Sequence, residues 1–205
     1  GGVTVKLATL HNEEDIVRKD LRPGDEVIVL RAGDVIPQVV SPAPHAVEKK
    51  GRAAPVEPPA ACPACGTPTL KPEGSVFTMC PNNACPGRQW QLLKHFVSRG
   101  AMDIDGLGEE QITDLIDARL ISTAADIYRL TAEQLASRRG EKDKITDGKL
   151  AAAEKQRAAI ERSKEQPFGR VLFAIGLEEV GAVTGRSLAQ QFRTIDALLA
   201  ASPDE

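Results

Sequence analysis

Apolar positions change rhythm along this chain, and the changes divide it. Through "LRPGDEVIVLRAGDVIPQVV", residues 21–40, short β-branched runs are separated by turn residues. Pro23, Gly24 and Asp25 predict a turn, residues 27–30 a strand, Ala32, Gly33 and Asp34 a second turn, and residues 35–40 a returning strand. Pro37 has no amide hydrogen to give to a ladder, which places it on an edge or at a bulge. "VTVKLATL", residues 3–10, predicts one more strand, and Asn12 is placed to cap a short helix within "HNEEDIVRKDL". Residues 46–60 carry Pro55, Pro58 and Pro59 and few large apolar groups, the texture of a linker. After residue 88 the period becomes helical. Trp90, Leu93, Phe96 and Val97 form one face, and Arg88, Lys94, His95 and Arg99 lie off it. Those cations read equally as a solvated face or as neighbours of phosphate.

Glycine interrupts the helical part in a repeated way. In "AMDIDGLGEEQITDLI", residues 101–116, Ile104, Gly106, Leu107 and Gly108 make a hydrophobic-glycine bend before Ile112, Leu115 and Ile116 resume helical spacing. In residues 168–192, Gly176 and Leu177 open a second bend, Val180 and Gly181 close it, and Leu188 and Phe192 line the next helix. Glycine lets a backbone approach another molecule closely, and the amides opening the next helix can receive a phosphate oxygen. One such bend is also what a turn between two packed helices looks like; two with the same grammar suggest a repeat array. Residues 130–164 lead into a long helix with no such signature at its bend, a degenerate middle repeat.

Composition narrows the class. Of 205 residues, 41% are hydrophobic and only 3% aromatic, so several small cores are expected rather than a single large one. The longest apolar run, residues 171–177, is too short to span a bilayer, and nothing resembles a secretory leader, which predicts a cytoplasmic protein. The net charge of −3 does not by itself announce a nucleic-acid partner.

The cysteines add chemistry. Cys62 and Cys65 form a Cys-x2-Cys pair, and Cys80 and Cys85 a Cys-x4-Cys pair fourteen residues on. Two such pairs supply four thiolates to one tetrahedral zinc ion; the other reading, two disulfides, suits an oxidising compartment. Four thiolates leave no open position for water, so the zinc is structural and His95 has no part in it. So small a segment draws its folding free energy from the metal.

These words stand in one order: "ATLHN" at 8–12, "LRPGDEVIVLRAGDVIPQVV", four cysteines after a proline-rich stretch, "LKHFVSRGAMDIDGLG" at 93–108 and "DIYRLT" at 126–131. In that order the chain resembles the middle and later part of a bacterial NAD-dependent DNA ligase. The resemblance implies a multidomain α+β protein: the C-terminal part of an OB-fold barrel over residues 1–45, a linker over 46–60, a four-cysteine zinc finger over 61–88, and helix-hairpin-helix repeats over 89–205, incomplete at the C-terminus. It implies a monomer that wraps nicked double-stranded DNA, with the zinc finger fixing the geometry between barrel and repeats. By position, Arg31 would meet backbone or sugar and Val35 and Ile36 the minor-groove floor. Lys94, Arg99, Gly106, Leu107, Gly108, Gly176 and Gly181 would face phosphates. The whole enzyme would use NAD and magnesium, passing AMP to a lysine, then to a 5′-phosphate, from which a 3′-hydroxyl displaces it. The Lys-x-Asp-Gly nucleophile is missing; "KITDG", from Lys144, has one residue too many. The expectation is therefore a DNA-binding fragment, inactive alone, of an enzyme acting in replication and repair. The rival expectation is a non-enzymatic zinc module that binds DNA structures or bridges proteins.

Overall fold

The computed structural model describes residues 4–32, 36–48, 51–137 and 145–202, with backbone alone at Arg31 and Ala32. The chain divides into two compact units, Gly1–Asn82 and Asn83–Glu205.

In the first unit, helix α1 (Glu13–Arg18) starts where the sequence predicts. The Asn12 side chain accepts the Asp15 N–H at 2.9 Å, and Glu13, Glu14 and Asp15 suit the positive end of the helix dipole. Strands β1 (Val27–Ala32) and β2 (Ile36–Pro42) form an antiparallel pair, with Ala32 opposite Ile36 and Val27 opposite Pro42. The register slips between Ile28 and Val29, which leaves Val40 as the extra residue of a bulge. Pro37 is not at that bulge. It faces Arg31 in a sheet that has two strands among the described residues, and its carbonyl accepts the Thr9 N–H at 2.9 Å.

The strand expected over residues 3–10 is not formed among its described residues. Thr9 makes one parallel bridge to Gln38, and His11, at φ 62°, turns the chain away. Leu7 is 87% exposed, so this run has no face to bury, and a strand pattern without burial does not hold a strand.

Helix α2 (Pro44–Val47) follows β2 directly. The proline-rich stretch beyond it is tied back to the turn before β1. Arg52 donates to both Asp25 carboxylate oxygens, at 2.9 and 2.8 Å, and also pairs with Asp20. Direct hydrogen bonds from Arg52, with a smaller part from its charge, hold the Asp25 carboxyl at about 2, well below its usual range.

The second unit is helical: α3 (Pro86–Val97), α4 (Glu109–Asp117), α5 (Ala124–Ile127), α6 (Ala132–Ala136), α7 (Asp147–Ser163), α8 (Phe168–Ala174), α9 (Ala182–Phe192) and α10 (Ile195–Ala200). Its core gathers Leu93, Phe96, Met102, Ile104, Ile112, Ile127 and Ile160. The bend between α6 and α7 lies largely outside the described residues, as does Lys144. Helices α8 and α9 cross backbone to backbone: a Cβ on Gly185 would lie 2.7 Å from the Gly169 carbonyl oxygen. No helix among the described residues is long and apolar enough to cross a membrane.

Candidate metal centre and nucleic-acid interface

The four cysteines come together. Their sulfur atoms all lie within 4.8 Å of one another, with Cys65 and Cys80 at 3.5 Å, and none is in a disulfide. Zinc held tetrahedrally at about 2.3 Å from each sulfur spaces the sulfurs about 3.8 Å apart, so this donor set fits the ion.

Local backbone explains the convergence. The Cys62 carbonyl accepts the Gly66 N–H at 2.8 Å, and Gly66, at φ +71°, makes the left-handed step that closes the first knuckle. Leu70 and Met79 exchange two backbone hydrogen bonds, of 2.9 and 2.8 Å, and bring the chain back so that Cys80 faces Cys65. Cys85 is the N-cap of α3, with Pro86 opening the helix. Glu13 accepts from the Thr78 hydroxyl at 2.7 Å and Glu14 from Lys71 at 2.7 Å, so α1 braces the loop between the pairs.

The two hairpins share a backbone plan that word matching alone misaligns. Asp103 and Gly106 take positive φ, at 55° and 84°, before Gly108 caps α4; Gly176 and Glu179 take positive φ, at 73° and 64°, before Gly181 caps α9. The offsets are the same, so Gly108 corresponds to Gly181, while the counterpart of Gly106 is Glu179 and that of Gly176 is Asp103. Apolar pegs follow: Ile104 with Leu177, and Leu107 with Val180. Gly108 and Gly181 have nearly identical backbone angles, φ −79°, ψ −176° and φ −74°, ψ 176°. Aligning "AMDIDGLG" directly under "AIGLEEVG" is the signal that finds this correspondence.

The first hairpin is braced by side chains from far along the chain. Gln156 donates to the Gly106 carbonyl at 2.7 Å, Gln166 to that of Met102 at 3.3 Å, and Arg170 to that of Ala101 at 2.6 Å and to that of Arg99. His95 lies with its Nε2 2.8 Å from the Phe173 carbonyl oxygen and meets the Phe173 ring edge-on. Sequence reading missed Gln156, Gln166 and Arg170, because no local pattern marks a bond spanning fifty residues or more.

The predicted contact residues are placed unevenly. The Leu107 side chain is in the core, 3% exposed. Lys94 pairs with Glu109 in the first turn of α4 and lies 5.1 Å from the centre of the Trp90 ring. Arg99 is exposed in the loop after α3. Ile36 opens β2 and is 60% exposed; Arg31 pairs with Pro37 through its backbone, and its side chain and Val35 lie outside the described residues.

Comparison with known proteins follows this layout. The NAD-dependent DNA ligase OB-fold domain matches residues 1–51, the NAD-dependent DNA ligase C4 zinc finger domain residues 61–86, and the helix-hairpin-helix motif residues 170–205. A DNA ligase of Rubrobacter xylanophilus is 47% identical over 192 residues, 94% of this chain and 27% of that protein. A DNA ligase of Methylococcus capsulatus is 44% identical over 208 residues, covering 100% of this chain and 29% of that protein. A DNA ligase of Syntrophotalea carbinolica is 46% identical over 204 residues, again 100% and 29%. The chain thus spans under a third of the length of these relatives. With the OB-fold match, the four-sulfur cluster and the hairpins in that order, and with identity of this level along nearly its whole length, the chain belongs to the NAD-dependent DNA ligase family.

Proposed function

We propose that this chain is the DNA-holding portion of an NAD-dependent DNA ligase, which joins a 3′-hydroxyl to a 5′-phosphate at nicks in duplex DNA through AMP intermediates, in replication and repair. One observation carries the reading: the helices that follow the two hairpins, α4 and α9, both begin at glycine. By contrast α1, α6, α7 and α10 begin at Asn12, Thr131, Thr146 and Thr194, whose side chains accept first-turn amides. A glycine cap offers no such acceptor and no bulk, which suits amides that receive a phosphate oxygen from outside.

In this reading Gly106, Gly108, Gly176 and Gly181 shape the phosphate-facing bends, Arg99 adds positive charge, and Lys94 reaches DNA by exchanging Glu109 for a phosphate. Arg31, Val35 and Ile36 approach the minor groove. Zinc on Cys62, Cys65, Cys80 and Cys85 supplies cross-links and takes no chemical step. The proposed boundaries are 1–45, 46–60, 61–88 and 89–205, in a cytoplasmic monomer. NAD and magnesium serve the whole enzyme; these 205 residues contain no Lys-x-Asp-Gly.

The test is to mix the zinc-loaded chain with nicked duplex and, separately, with NAD and magnesium. The expected result is a shifted duplex band and no covalent AMP on the protein. An AMP adduct, or no duplex binding at low salt, overturns the proposal.

A further inference from the structure

We infer that Cys65 and Cys80 are an oxidation site, at which hydrogen peroxide joins the two sulfurs in a disulfide and the metal is released. The inference rests on the zinc reading of the four cysteines and is independent of DNA.

Exposure divides the four sulfur residues in a telling way. Cys85 is 1% and Cys62 9% exposed, whereas Cys65 and Cys80 are half-buried. Each close pair in the sequence therefore has one shielded and one reachable member, and the two reachable members belong to different pairs. Their sulfurs lie 3.5 Å apart. A disulfide bond is about 2.0 Å long, so the remaining approach is short. The local backbone turns these two residues toward each other. The Cys62 N–H donates to the Thr67 carbonyl at 2.8 Å, which shapes the first knuckle, and the paired bonds between Leu70 and Met79 return Cys80 to it. The Thr67 hydroxyl lies 3.2 Å from the Cys65 sulfur, and Glu13 holds the Thr78 hydroxyl at 2.7 Å, two residues before Cys80.

A zinc-held cysteine is a thiolate, the nucleophilic form. One of the two thiolates attacks the peroxide: an S–O bond forms, the O–O bond breaks, and hydroxide leaves behind a sulfenic acid. The other thiolate then attacks that sulfur, an S–S bond forms, the S–O bond breaks, and a second hydroxide leaves. Two electrons pass from the sulfurs to the peroxide, and two protons from solvent turn both hydroxides into water. Cys62 and Cys85 alone cannot complete a tetrahedral site, so the ion is lost. In a reducing compartment thiols reopen such a bridge, which makes the modification transient.

The test treats the zinc-loaded chain with hydrogen peroxide, follows released zinc with a weak chromophoric chelator, and alkylates remaining thiols at the earliest time points before peptide mapping without reductant. The expected result is about one zinc released per chain, in step with a linked Cys65–Cys80 peptide pair, and recovery of zinc binding after dithiothreitol and fresh zinc. First bridges joining Cys62 to Cys65 or Cys80 to Cys85 overturn the site. So does zinc that stays bound while oxygen is gained only at Met79, 38% exposed beside Cys80. Zinc lost through sulfinic acids that dithiothreitol does not reverse overturns it too. A chain that binds no zinc before treatment overturns both the site and the zinc reading. With no DNA present, each of these outcomes leaves the DNA-holding reading standing.

Discussion

At the scale of single residues, the glycines separate geometry from contact. Gly106 sits at φ +84°, and a Cβ there would meet the Gln156 Cγ at 2.9 Å, so Gly106→Ala should cost about 1–2 kcal/mol in a urea denaturation experiment. Gly181 is the opposite case: its φ is ordinary and a Cβ would meet nothing within 4 Å. Gly181→Leu should therefore cost about 1 kcal/mol or less in stability, yet weaken nicked-duplex binding about tenfold, the loss of roughly one phosphate hydrogen bond. Equal affinity in that variant would remove Gly181 from the interface. Asp25 carries a pH prediction. Its carboxyl is held at about 2 by Arg52, so the stabilisation is complete above the ordinary carboxylate pKa of about 4 and lost as pH falls toward 2. The stability difference between wild type and Asp25→Asn should be flat above pH 5 and close between about pH 4 and 2.

At the scale of elements, helices were read well from sequence and the β-part less so. Apolar periodicity placed the face of α3, and the cap at Asn12 placed α1, because both signals are local. The run at residues 3–10 misled because alternation predicts a strand only where a face is buried, and Leu7 is exposed. The four cysteines were fully legible, since spacing alone sets up a tetrahedral donor set. The α8–α9 crossing was not, because the closeness of Gly169 and Gly185 depends on packing between helices. Gly185→Ala would press a Cβ to 2.7 Å from the Gly169 carbonyl oxygen and should destabilise the helical unit by about 1–3 kcal/mol, read as a lower thermal midpoint. In the zinc segment, chelation should release four thiols to a thiol reagent and melt the segment around residues 61–86, with zinc restoring it. Thiols equally reactive before and after chelation would show that these sulfurs hold no metal.

At the scale of the molecule, the composition argues against the function that the local sites support. A net charge of −3 gives no overall attraction to DNA, so in the proposed reading binding comes from backbone amides at two bends and from cations gathered in small areas. Such a design is sequence-independent and strongly dependent on salt. The sequence revealed the order of the parts, because each has its own short words. It could not reveal that Gln156, Gln166 and Arg170 brace the first hairpin, since those contacts exist only once distant helices have packed. The most direct test of the central claim is the affinity of the zinc-loaded chain for nicked duplex as a function of salt. The account predicts log K falling linearly with log salt, with a slope of about −2 or steeper. A slope near zero, or no binding at low salt, would contradict it.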